Sequence, residues 1–198
     1  MVLSNPQKVA KWLVKVGKER TLLWFVHNRI VGDDAIISML WKAFLAGGLG
    51  DDYANMIIAR LKFRAKRANM HLYDYLVRRQ SQGNLNQLMN ILAVGRNERQ
   101  ALLSLLNIIQ QFNLIYTPAS QVNMDNLYQA VINARGIGDW LGHFIIYDLI
   151  RHYGYPTPTN LGPSQRLLNK LQTLGFQNPQ QYFSPEDWPY VDAAVWDL

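Results

Sequence analysis

The chain contains no cysteine. That excludes a disulfide scaffold, thiolate zinc or iron–sulfur sites, and a cysteine nucleophile. No window approaches ~18 uninterrupted apolar residues, so no membrane-spanning helix is expected. The start, Met1 to Pro6, has no charged segment leading into an apolar run, so no secretory signal is expected. Alternating strand-like patterning, internal repeats and low-complexity linkers are missing too. The Gly-x-Ser-x-Gly elbow and the Walker-type phosphate loop are absent, which argues against a serine hydrolase and against NTP hydrolysis. What is present is a chain of 198 residues, 49% hydrophobic and 12% aromatic, long enough to bury a core as one domain over residues 1–198.

The formal charge of +6 is unevenly spread. Residues 1–20 carry a net +4 from Lys8, Lys11, Lys15, Lys18 and Arg20 against Glu19. Residues 60–79 carry a net +6 from Arg60, Lys62, Arg64, Lys66, Arg67, Arg78 and Arg79 against Asp74. The rest of the chain is therefore mildly acidic. Two basic segments in an aromatic-rich chain point to a polyanion, above all to nucleic acid. An anionic membrane fits less well, because Met, Phe and Ala interrupt the basic stretches instead of forming one opposite stripe.

The dominant period is helical. Val9, Trp12, Leu13 and Val16 define an amphipathic first helix. Helices are expected over 22–31 and 35–45, with an aspartate of Gly32-Asp33-Asp34 capping the second. One long helix is expected over 53–79, then helices over 85–92, 98–112, 124–133, 140–153 and 164–174, and a last short one after Ser184-Pro185-Glu186. The fold class is all-α, a compact domain of about ten helices.

The most specific stretch is residues 127–149, in which Arg135-Gly136-Ile137-Gly138 joins two apolar helices. The glycines allow a tight turn and leave backbone N–H groups uncovered. Those groups open the second helix, whose dipole favours an anion. A DNA phosphate fits, held without regard to sequence. Ile137 is expected to point inward and pin the turn to the core.

This pattern resembles the helix-hairpin-helix DNA glycosylase superfamily. Within it, Gly136 to Leu149 followed by Leu161-Gly162-Pro163 is similar to the branch that acts on hypermodified phage thymines, the α-glutamyl/putrescinyl-thymine pyrophosphorylases and the helical domain of hydroxymethyluracil DNA kinases. Trp24 to Ile30 and Leu61-Lys62-Phe63-Arg64 are divergent versions of that branch's early motifs. The resemblance implies Gly136, Ile137, Gly138, Arg64 and Arg67 as DNA-binding residues. At the usual place of the catalytic aspartate stands Asn160, which cannot carry the negative charge that stabilises an oxocarbenium-like sugar. Asn160 is left to position a water or phosphate, and Asp148, at the Asp-Leu match on the second hairpin helix, becomes the candidate catalytic carboxylate. Asp139 reads as a first-turn acid that suits the helix dipole. Asp192 and Asp197 are weaker candidates.

His27-Asn28-Arg29 interrupts an apolar helix, so at least one of these polar side chains is expected to face a pocket. With Trp24 as a stacking ring, His27, Asn28 and Phe63 form the expected base pocket. His71, His143 and His152 show no ligand spacing, and neither a metal nor a cofactor is expected.

The resulting expectation is a monofunctional DNA glycosylase. It would flip a modified, hypermodified phage base out of double-stranded DNA and leave an abasic site, as a monomer in the cytoplasm of a prokaryote or as a phage product, with antiviral defence as a role. No lysine lies beside the hairpin in sequence, where bifunctional relatives carry theirs. Two alternatives stand: a transferase acting on 5-hydroxymethyluracil-derived bases in DNA, and a non-catalytic DNA-binding protein on the same scaffold.

Overall fold

A computed structural model of the chain describes residues 5–22, 24 and 34–196. The described residues form ten α-helices and no strand. Helix α1 spans Pro6–Thr21, with Pro6 in its first turn and Asn5 Oδ1 accepting the Lys8 N–H at 3.0 Å. Its most buried residues are Ala10, Leu13 and Gly17; Val9 and Val16 of the expected stripe also pack, half-buried, against the core, and Trp12 does not. Trp12 is 49% exposed. The reason is at Gly17, where an added Cβ would lie 1.8 Å from the Tyr190 carbonyl oxygen. The two backbones touch, so the face with the smallest side chains is the one that packs.

Helix α2 (Ala35–Ala43) begins where expected, because Asp34 Oδ1 accepts from the N–H groups of Ile36 and Ile37 at 2.9 and 3.1 Å. The long helix expected over 53–79 is two helices, α3 (Gly50–Arg67) and α4 (Leu72–Ser81). Asn69 stops α3 by entering the left-handed region at φ 53°, and the Met70 N–H returns to the Ala65 carbonyl. Helices α5 (Leu85–Ile91), α6 (Arg96–Gln111), α7 (Met124–Ile132), α8 (Asp139–Tyr153), α9 (Gln165–Thr173) and α10 (Trp188–Val195) follow, with short 3₁₀ turns at Ala119–Gln121 and Pro179–Gln181. The last helix starts after the Ser184 turn, whose N–H and hydroxyl both donate to Asp187. The helix expected over 22–31 lies outside the described residues, apart from Leu22 and Trp24.

Helices α2 and α8 form the centre. Helix α2 packs against α3, α4, α6 and α8, while α8 also touches α7, α9 and α10, and α10 carries α1. Every residue from Ser38 to Ala43 is buried. A helix surrounded in this way is expected to be apolar all round. Lys42 breaks the rule, and its partner on α8 is the starting point of the site. No helix among the described residues is long and apolar enough to cross a membrane.

Candidate active site

Lys42 is fully covered, yet it carries a charge into the core. Its Nζ donates to Ser38 Oγ at 2.8 Å, one turn back on α2, and to Asp148 Oδ2 on α8. The other Asp148 oxygen accepts from Arg151 Nη2 at 2.5 Å, and His152 Nε2 lies 3.7 Å away. One carboxylate thus serves two cations. Burial alone would raise the Asp148 pKa, but Lys42 and Arg151 outweigh it and hold the group below its ordinary value. Burial pushes the Lys42 ammonium down, against the attraction of Asp148.

Arg151 carries this network outward. Its Nη1 donates to the Pro189 carbonyl at 3.0 Å and sits 3.7 Å from Asp192 Oδ2 on α10. Asp192 is buried, and its Oδ1 accepts the Trp196 indole N–H at 2.8 Å. Burial pushes the Asp192 carboxyl up, despite the opposing pull of Arg151 and of the Trp196 hydrogen bond. Two neighbouring acids are therefore driven apart, Asp148 towards the ionised form and Asp192 towards the protonated one.

Asp192 and Arg151 line a cavity of about 760 Å³ between the ends of α1, α2, α8 and α10. Its walls are aromatic: Trp24, Trp41, Trp140, Phe144 and Trp196. Trp24 stacks on His152 with ring centroids 4.3 Å apart and planes inclined by 22°. Burial lowers the His152 pKa to about 4, with Asp148 opposing, so the ring is neutral at pH 7. At the rim, the Arg166 guanidinium lies 4.9 Å from the Trp140 ring and 4.1 Å from the Trp196 ring. Arg20, at the end of α1, donates to the Ala193 and Ala194 carbonyls at 3.3 and 2.8 Å and joins the same wall.

The turn between α7 and α8 lies beside this cavity. Ile137 is buried, as its place between the glycines requires, while Gly138 and Asp139 are exposed. Gly136 adopts φ 83°, and a Cβ there would lie 2.7 Å from the Ala101 backbone nitrogen. Among the described residues, the N–H groups of Gly138, Asp139 and Trp140 have no acceptor. Asp139 turns its carboxylate away to α9, where Oδ2 accepts the Gln165 N–H at 2.8 Å, and Oδ1 lies 3.2 Å from His143 Nδ1. Trp140, the second residue of α8, lines the cavity.

The expected site residues divide accordingly. Trp24 lines the cavity, and Asp148 sits directly behind it. Asp148 is enclosed and does not line the wall, because both its oxygens are taken by Lys42 and Arg151. Two carboxylates line the cavity, exposed Asp51 and buried Asp192, and Asp192 is the one joined to Arg151. Asn160 is exposed in the loop after α8 and lies apart from the cavity lining. Phe63 is also elsewhere, on a groove with Arg64 and Arg67. His27, Asn28 and Asp197 lie outside the described residues. A lysine does approach the second hairpin helix in space, Lys42, but it is covered and committed to Asp148 and Ser38. Nothing in the local sequence around Lys42, His152 and Arg166 marks them as site residues.

Comparison with known protein families, with curated proteins and with solved structures finds no match for the chain.

Proposed function

We propose that the protein is a monofunctional DNA glycosylase that releases a modified base from double-stranded DNA. The observation that carries the reading is the position of Trp140. It stands two residues beyond the hairpin glycine Gly138 and also forms part of the cavity wall that holds Asp192. A phosphate on the free N–H groups of Gly138, Asp139 and Trp140 would bring its nucleotide to the mouth of an aromatic cavity. Extruding a base costs a few kcal/mol, least for a weakly paired or bulky one, and stacking on indoles offsets that cost. A volume of about 760 Å³ leaves room for a substituted base.

In this mechanism Asp192 is the general acid. The N-glycosidic bond breaks, the base leaves with the Asp192 proton, and the resulting carboxylate faces the positive sugar. The same carboxylate takes a proton from the attacking water and returns to its starting state. Asp148 is a positioning residue: it neutralises Arg151 and so fixes the guanidinium that faces Asp192. The resemblance to enzymes of phage thymine modification makes a hypermodified phage base the preferred substrate and antiviral defence the preferred role. The test is incubation with genomes carrying different modified bases, with abasic sites and free bases as the readout. An altered base still attached to its sugar would favour the transferase alternative instead.

A further inference from the structure

We propose that the α3 face bearing Arg60, Phe63, Arg64 and Arg67 is a platform for single-stranded DNA, on which Phe63 stacks against a base and the arginines hold successive phosphates. The four positions recur at intervals of three and four and so share one face of the helix. Phe63 is 62% exposed, and the Arg67 guanidinium lies 5.9 Å from its ring centroid. Together with Ile91, itself 61% exposed, these residues line a surface groove of about 540 Å³. Among the described residues, none of Arg60, Arg64 and Arg67 pairs with a carboxylate. A core aromatic would be covered and structural arginines would be paired; here neither holds.

The arrangement selects its partner. Exposed aromatic rings interleaved with free cations suit unpaired bases, because every base has a face to stack and every nucleotide carries a phosphate. An acidic protein surface would use the arginines and leave the ring idle. A membrane would require the apolar groups opposite the basic row, whereas Phe63 lies within it. Asp51, near the start of α3, lines the cavity, and Phe63 lies about 18 Å further along the same axis. The platform is therefore separate from the cavity. It shares a nucleic-acid partner with the proposed function and depends on none of the cavity's chemistry.

The test is a fluorescence-anisotropy titration of the full chain with a labelled eight-nucleotide oligothymidylate. Phe63→Ala should weaken binding by about five-fold or more, and Phe63→Trp should restore it. Arg60→Ala, Arg64→Ala and Arg67→Ala should each flatten the log–log salt dependence by about 0.7. These side chains are surface groups, so the fold should tolerate their loss. Asp192→Asn should leave this binding unchanged. Failure of base release on every DNA, with Phe63-dependent oligothymidylate binding intact, would remove the glycosylase reading and leave the platform standing. Unchanged affinity in Phe63→Ala overturns the platform, and so does Phe63-dependent binding to phosphatidylserine vesicles with none to the oligonucleotide.

Discussion

Lys42 and Asp148, 106 residues apart in the chain, meet as a fully buried ion pair between the two central helices. Arg151 shares the same carboxylate. Removing one partner of such a pair strands the other charge in the core, at a cost of roughly 3–5 kcal/mol. Asp148→Asn strands two cations, whereas Lys42→Met leaves Asp148 with Arg151. Asp148→Asn is therefore expected to be the more destabilising change. Urea unfolding of the two variants checks the order; equal stability of Asp148→Asn and the parent would contradict it.

Asp192→Asn should behave in the opposite way. The amide keeps an oxygen for the Trp196 indole N–H and removes a carboxyl that burial already disfavours as an anion. Stability is expected to change by less than about 1 kcal/mol, while base release falls by about 10²-fold or more. Melting temperature and single-turnover assays on one preparation separate the two effects.

The hairpin offers a change that divides stability from binding. Gly138 has an ordinary φ of −77° and open space around its Cβ position. Gly138→Glu places an acid at the start of α8, which should stabilise the helix by about 0.3–1 kcal/mol. The same charge would repel a phosphate, so DNA affinity should fall. Gly136→Ala should only destabilise, because φ is 83° and the new Cβ would meet the α6 backbone. Thermal melts paired with DNA titrations check both.

Most of the helical architecture was legible in the sequence because its signals are local. Asp34 and Ser164 cap helices by side-chain bonds to the following turn, and Gly136-Ile137-Gly138 marks its own turn. The break between α3 and α4 was not legible, because a lone Asn69 carries it. The spacing of Val9, Leu13 and Val16 does mark residues of α1 that pack on the core, but the close approach of Gly17 to Tyr190, far along the chain, and the exposure of Trp12 do not follow from it. The same limit explains the site. Trp24 was identified by its place in an apolar helix, but Asp192, Arg166 and Lys42 acquire their surroundings from helices remote in sequence. The spacing of Arg60, Phe63, Arg64 and Arg67 did carry a usable signal, since an aromatic among arginines on one face belongs to a surface.

Stability should fall as the solution is acidified below neutrality. The His152 pKa drops from 6.5 in the unfolded chain to about 4 in the folded one. Between those values the unfolded state binds more protons, so the folded state loses ground as pH falls through the window. Asp148, held below its ordinary 3.8, extends the loss to lower pH. Asp192 acts in reverse: its raised pKa makes ionisation costly to the fold as pH rises past the folded value. Urea titrations between pH 7 and pH 4 should show the decline, and His152→Gln should flatten it.

We propose that Asp192, in the aromatic cavity beside the hairpin, drives release of a modified base. The most direct test is to incubate the protein and its Asp192→Asn variant with a panel of phage genomes carrying different modified bases, and to identify released bases by mass spectrometry alongside abasic-site counts. The parent protein is expected to yield a free modified base and matching abasic sites from at least one genome, and Asp192→Asn neither. Equal release by the two proteins, or no release from any genome, would contradict it.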